Sequence, residues 1–150
     1  MRKTERASNA TLRKHLTGNP FIRFRLHRIE NIAGEGTPDL NYCTSGREGW
    51  IETKSPVEPK RPDTPLFGSN HKMSQEQMNW HLEQWQNGGR SFIYIDSDKR
   101  RLLIPGWLGD RINTATIAEL EAMALWKAMK PTKEDQWNAL RLRLSGVGHD

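Results

Sequence analysis

Two runs with strand alternation, Leu40 to Cys43 and Trp50 to Lys54, flank the turn-rich segment Thr44-Ser45-Gly46-Arg47-Glu48-Gly49. That arrangement reads as a β-hairpin, and a hairpin limits which residues can meet. With the turn centred near Gly46, the partner of Asp39 falls between Glu52 and Lys54, and a one-residue change in register selects which. Side chains alternate along a strand, so Glu52 and Lys54 point one way and Ile51 and Thr53 the other. Trp50 shares the Glu52 face. The hairpin therefore gathers two carboxylates and an ammonium.

Around it, helical and extended patterns alternate. Thr11 to Leu16 reads as a short helix stopped by Gly18-Asn19-Pro20. Ile22, Phe24 and Leu26 alternate with Arg23, Arg25 and His27, the period of a half-buried strand. Four prolines within residues 55–72 predict an extended loop. A helix starts at Ser74, with Met78, Leu82 and Trp85 on one stripe, and ends at Asn87-Gly88-Gly89. Ser91 to Ile95 and Leu102 to Ile104 are predicted strands, Ile117 to Met129 one helix stopped at Pro131, and Asp135 to Leu144 the last helix. This order, roughly αβββαββαα, predicts an α/β or α+β fold with a mixed sheet. The 150 residues fit one domain spanning 1–150. A basic segment, 1–20, leads it and C-terminal helices, within 112–150, close it.

Charge points to the partner. The net charge is +5, yet residues 1–30 alone hold eight Lys/Arg against Glu5 and Glu30. Such concentration attracts polyanions, of which nucleic acid is the commonest, although a solvated surface has the same composition. Arg23, Arg25, Arg28, Lys72 and the run Lys99-Arg100-Arg101 are the candidate phosphate contacts. No apolar run is long enough to span a membrane, and the basic N-terminus lacks the apolar stretch of a secretory signal. Cys43 is the only cysteine, which suits a reducing compartment and the cytoplasm.

Asp39, Glu52 and Lys54 make sense together for phosphodiester hydrolysis. Paired carboxylates suit Mg²⁺, a hard cation that prefers oxygen ligands, with Mn²⁺ as a substitute. The Thr53 backbone carbonyl is a further acceptable ligand. A lysine beside the metal can position the attacking water or stabilise charge on phosphorus. The competing explanation is ordinary surface pairing, since Glu-x-Lys alone is common. The whole pattern, Gly-x-Pro-Asp, hairpin, apolar-Glu-x-Lys, is much more specific.

Gly36-Thr37-Pro38-Asp39 followed by Trp50-Ile51-Glu52-Thr53-Lys54 resembles the signature of the PD-(D/E)xK nuclease superfamily. Within it, the small stand-alone VRR-NUC and phage Holliday-junction endonucleases are the best match. Met73-Ser74-Gln75-Glu76-Gln77, with Trp80, Leu82 and Gly88-Gly89 ahead of an apolar strand, is similar to their Ser-x-x-Gln helix and following strand. The likeness covers about residues 21–105. It implies a restriction-endonuclease-like core and an Mg²⁺-dependent endonuclease on DNA, branched structures such as Holliday junctions included. It also implies a bacterial cell or a phage-infected host as the setting. By it, Asp39 and Glu52 bind metal, Lys54 is the catalytic lysine and Gln77 orients the site. The family usually adds an acid from an N-terminal helix; Glu30 is favoured here and Glu5 is the alternative. A two-fold symmetric junction suggests a homodimer.

Several residues carry competing explanations. Ser74-x-x-Gln77 is also a capping box, so Gln77 has a structural role available. His71 and His81 match no zinc spacing and read as surface or phosphate-contacting residues. The tryptophans at 80, 85, 107, 126 and 137 read as core. A non-catalytic DNA-binding or adaptor protein on the same fold is the first alternative function. An RNA-directed nuclease or host-defence factor is the second, because phosphate contacts carry no sugar information.

Overall fold

The computed structural model describes residues 3–29, 35–68 and 71–146. Its first element is a helix, α1 (Lys3–Thr17), which starts well before the predicted Thr11. Only Leu12 and Leu16, at i and i+4, are fully buried apolar positions on it, so its first two turns carry no apolar period to read. Glu5 in the first turn and Lys14 in the last complement the helix dipole.

Strands β1 (Phe24–Arg28), β2 (Leu40–Thr44) and β3 (Arg47–Lys54) follow as an antiparallel meander. Ser45 and Gly46, both with positive φ (50° and 75°), close the β2–β3 hairpin, as a tight turn matched to strand twist requires. Leu40 pairs with Ile51, so Asp39 stands opposite Glu52. That resolves the register the sequence left open.

The loop of residues 55–72 carries no helix or strand among its described residues, and Leu66 and Phe67 anchor it in the core. Helix α2 (Gln75–Gln86) then crosses from β3 to β4 (Ser91–Asp96), which lies parallel to β3. Strand β5 (Arg100–Pro105), a 3₁₀ turn (Gly106–Leu108), α3 (Gly109–Ile112), α4 (Ile117–Met123), β6 (Trp126–Met129) and α5 (Glu134–Ser145) complete the chain. The six strands run in the order β1-β2-β3-β4-β5-β6, with β3–β4 the only parallel pair. The predicted mixed sheet flanked by helices is what forms.

The single predicted helix over Ile117 to Met129 is a correction. Helix α4 stops at Met123, and Trp126 to Met129 alternates buried and exposed while pairing with β5. A four-residue run this short fits either period, and the open edge of β5 decides it. Thr116 and Glu119 form the capping box that starts α4.

Two cores sandwich the sheet. Leu12, Leu16, Leu40, Tyr42, Phe92, Tyr94 and Trp137 belong to one, under α1 and α5. Phe67, Met73, Ile93, Ile95, Leu102 and Ile112 belong to the other, under α2, α3 and α4. Strand β4 is buried on both faces, as its continuous apolar run requires. The Tyr42 hydroxyl donates to the Leu144 carbonyl at 2.8 Å, fastening β2 to the end of α5. Three expected core positions turn outward: Ile22, which lies ahead of β1, is 36% exposed, Leu82 44% and Trp107 49%.

His81, expected at the surface, is instead completely buried where α2, β4 and the 3₁₀ turn meet. Its Nδ1 lies 2.7 Å from Ser91 Oγ. A side chain at Gly106 would fall 2.3 Å from that Oγ and 2.4 Å from Nδ1, so the three elements close only over glycine. Burial, and secondarily the Lys54 charge, lowers the His81 pKa from 6.5 to about 4. The unfolded chain therefore takes up a proton that the folded one refuses between these values. Stability is predicted to fall from pH 6.5 toward 4, by up to about 3 kcal/mol from this residue. Denaturant titrations of wild type and His81→Asn across that range check this; the variant should lose much of the acid-side slope.

Candidate active site

Asp39 is positioned by its own loop. Gly36 adopts φ +83°, and a Cβ there would lie 2.3 Å from the Glu76 carbonyl oxygen in the first turn of α2. Only glycine brings the Gly-Thr-Pro-Asp loop this close to the helix. The Asp39 backbone carbonyl accepts from the Ile29 amide at 2.8 Å, and its Oδ2 accepts from the Thr53 amide at 3.2 Å. Its carboxylate is thereby held against β3.

Glu52 lies beneath it, 4% exposed. The two carboxyl groups are in hydrogen-bonding contact, and no protein donor reaches Glu52 Oε1. Burial, then the Asp39 charge, pushes the Glu52 pKa well above the ordinary carboxylate value, while Lys54 pulls it back. Glu5 on α1 is near enough to add a further upward push.

Lys54 ends β3 and is 7% exposed. Its ammonium donates to Gln77 Oε1 at 3.2 Å and to the Lys72 carbonyl at 3.4 Å. The same Gln77 oxygen accepts from the Ser74 amide at 2.9 Å, while the Gln77 amide donates to Ser74 Oγ at 3.1 Å. The two explanations offered for Gln77 coexist: it caps α2 and holds Lys54 through one atom. Trp50 packs edge-on to Trp80 of α2 at 5.3 Å, which covers the Glu52 face.

Thr53 points to the other side, into α1, where its hydroxyl bonds to Asn9. One strand position further, Ser55 Oγ lies 2.8 Å from Ser8 Oγ in a buried contact. These two bonds seat α1 beside the carboxylates, with Glu5 one turn away. Glu30, the favoured third acid, lies outside the described residues; among the described ones, Glu5 is the acid that α1 brings near Glu52.

The donor set fits a divalent cation. A buried carboxyl group, Glu52, lies against the half-buried Asp39, and one Glu52 oxygen has no protein donor; a proton or a hard cation is what relieves that arrangement. Among the described residues no third His, Cys, Asp or Glu joins them in a cluster. The protein thus offers a short ligand set of the kind Mg²⁺ completes with water and substrate oxygens.

The basic candidates divide. Arg23 and Arg25 stand exposed on β1 between buried Phe24 and Leu26. Lys72 and Lys99 are exposed, and Lys99 lies in the β4–β5 turn at the same sheet end as Lys54. Arg100 is bound to Glu58 and Glu121, both at 2.8 Å, and Arg101 pairs with Asp96 at 3.3 Å with its guanidinium over Trp137. These two arginines serve the fold, so of that run Lys99 is the residue left facing solvent. Arg28 lines a hollow of about 200 Å³ together with Arg6, Asn9 and Arg13 of α1. A helix beginning at Thr11 leaves Arg6 outside it and hides this pairing; in α1 the spacing of Arg6 and Arg13, seven apart with Asn9 between, puts them on one helical face.

The order of strands and the flanking helices define a restriction-endonuclease-like fold. The Holliday junction resolvase Hjc of Archaeoglobus fulgidus, an archaeal hyperthermophile, shares it: 14% identity, a TM-score of 0.51, and coverage of 80% of this chain and 91% of that one. No protein-family profile and no curated protein matches the sequence.

The state of Glu52 makes a stability prediction. A carboxyl group with a raised folded pKa favours the fold while protonated, and that contribution is lost as pH rises above the unfolded value of about 4.5. Glu52→Gln removes the loss. In chelator at pH 7 the variant should melt higher than wild type and, unlike wild type, gain little on adding Mg²⁺. Thermal melts with and without the cation check both.

Proposed function

We propose that this chain is a divalent-metal-dependent endonuclease that hydrolyses DNA phosphodiester bonds, with branched DNA, four-way junctions included, as its substrate. The contact of buried Glu52 with half-buried Asp39, beside a lysine held by two neutral oxygens, carries the reading. Such a contact has little structural use, because a buried carboxylate beside a second one is costly unless something neutralises the charge. The resemblance in fold to a Holliday junction resolvase supports the branched substrate.

In this reading Asp39 and Glu52 hold Mg²⁺ or Mn²⁺, joined by the Thr53 carbonyl and by an acid from the N-terminal half, Glu5 or Glu30. When bound, the cation supplies Lewis-acid neutralisation of phosphate charge and acidifies water. Lys54 is aimed by Gln77 and the Lys72 carbonyl, so its charge is fixed before the phosphate arrives. A fixed charge near developing negative charge on phosphorus stabilises the transition state without reorganisation. Arg6, Arg13 and Arg28 line the path from α1 to the carboxylates and bind the phosphate backbone, with Arg23, Arg25 and Lys99 further out. The substrate symmetry favours a homodimer with two such sites, and the cytoplasm suits a chain with a single thiol.

The test is single-turnover cleavage of linear, nicked, flapped and four-way DNAs, with a binding isotherm alongside. Cleavage should require Mg²⁺ or Mn²⁺, stop with EDTA and favour the branched substrates. Lys54→Met should bind DNA nearly as wild type does while turnover falls by roughly 10²-fold or more. Asp39→Ala should abolish cleavage. Robust cutting in chelator, or wild-type turnover by Lys54→Met, contradicts the proposal.

A further inference from the structure

The sheet has a second functional-looking end. Strand β3 runs eight residues from Arg47 to Lys54, which at about 3.3 Å per residue sets its two ends roughly 20 Å apart. At the Arg47 end lies a cavity of about 550 Å³, within the roughly 300–1,000 Å³ of small-molecule sites. Its apolar lining is Trp85, Phe92, Pro105, Trp107 and Leu125. Among the described residues its charged lining is all of one sign: Arg47, Arg90 and Arg143.

These parts differ in what they are free to do. The Trp85 indole is committed, donating to the Ser91 carbonyl at 2.8 Å and standing edge-on to Phe92. Arg90 is committed as well: it donates to the Leu144 and Arg143 carbonyls at the end of α5, with its guanidinium 5.2 Å from the Phe92 ring centre. Trp107 is different, being 49% exposed, yet the residue before it is pinned, since Gly106 touches Ser91 and His81. A half-exposed indole on a fixed backbone presents a ready stacking face. Beside it the positive charges crowd: a Cβ at Gly146 would lie 2.6 Å from Arg90 Nη1 and 3.4 Å from Arg47 Cζ. Concentrated positive charge of this kind complements a phosphate.

We propose that this cavity binds an unpaired nucleotide, its base stacked on Trp107 and its phosphate against the Arg47–Arg143 rim. An aromatic face joined to cationic groups is the arrangement that holds single-stranded nucleic acid, because every base offers a π-face and every link a phosphate. A duplex offers the phosphates but keeps its bases stacked inside. The proposal deepens the nuclease reading by naming a substrate feature, unpaired nucleotides on one arm, and rests on that reading only for its biological use. The binding itself needs neither the carboxylates nor a metal.

The experiment measures fluorescence anisotropy of a labelled oligo(dA) hexamer and of a blunt duplex, both in EDTA so that nothing is cut. Trp107→Ala and Arg143→Ala should each weaken hexamer binding roughly tenfold while changing duplex binding less than twofold. Trp107→Phe keeps a ring and should restore most of the loss, which separates stacking from misfolding. Competition by dAMP distinguishes the two sources of this chemistry: strong competition assigns the site to free nucleotides, weak competition to a DNA strand. Equal losses for hexamer and duplex, or unchanged hexamer binding in all three variants, overturn the proposal. The assay reads binding alone, with no metal present, so a failed cleavage assay and a failed stacking site remain distinguishable.

Discussion

Asp39 and Glu52 meet as two carboxyl groups, one half-buried and one buried, and much of the surrounding structure serves that contact. Left alone, the pair is unfavourable, since burial and mutual repulsion both disfavour the charged forms. It persists because the backbone gives it no choice. The two-residue hairpin turn fixes the register, the register sets Asp39 opposite Glu52, and the Thr53 amide ties the Asp39 carboxylate to β3. The loop that carries Asp39 is pressed onto α2 at a glycine that no other residue replaces.

Around this contact the two helical layers have different tasks. Helix α2 supplies a neutral oxygen that holds Lys54 while closing its own first turn, so the helix start and the lysine are fixed together. Helix α1 docks from the opposite face through Ser8 and Asn9, and brings Arg6 and Arg13 to the same side as Arg28. A charge that must act on a phosphate is best placed before the phosphate binds. Both helices do that for the β3 end.

The parts legible in the sequence are those where one local rule suffices. The hairpin, the buried β4, the Ser74 cap and the convergence of Asp39, Glu52 and Lys54 all follow from alternation and turn chemistry. Other features depend on partners far along the chain. Trp126 to Met129 becomes a strand only because β5 offers an edge, and the first turns of α1 are helical without an apolar stripe. His81 lies inside because Gly106 and Ser91 shape a hole for it. Arg100 looks like a phosphate contact until Glu58, from a loop 42 residues earlier, is brought against it. Local pattern carries charge and period; it does not carry the identity of distant neighbours.

The central claim is that the Asp39–Glu52 pair is a cation site, and calorimetric titration with Mn²⁺ addresses it without DNA. Wild type should bind the ion and release protons on doing so, seen as a heat that varies with the ionisation enthalpy of the buffer, because a Glu52 carboxyl with a raised pKa must give up its proton to the metal. The double variant Asp39→Asn, Glu52→Gln should show neither the binding nor the buffer dependence. Equal Mn²⁺ affinity in the two proteins would contradict the account.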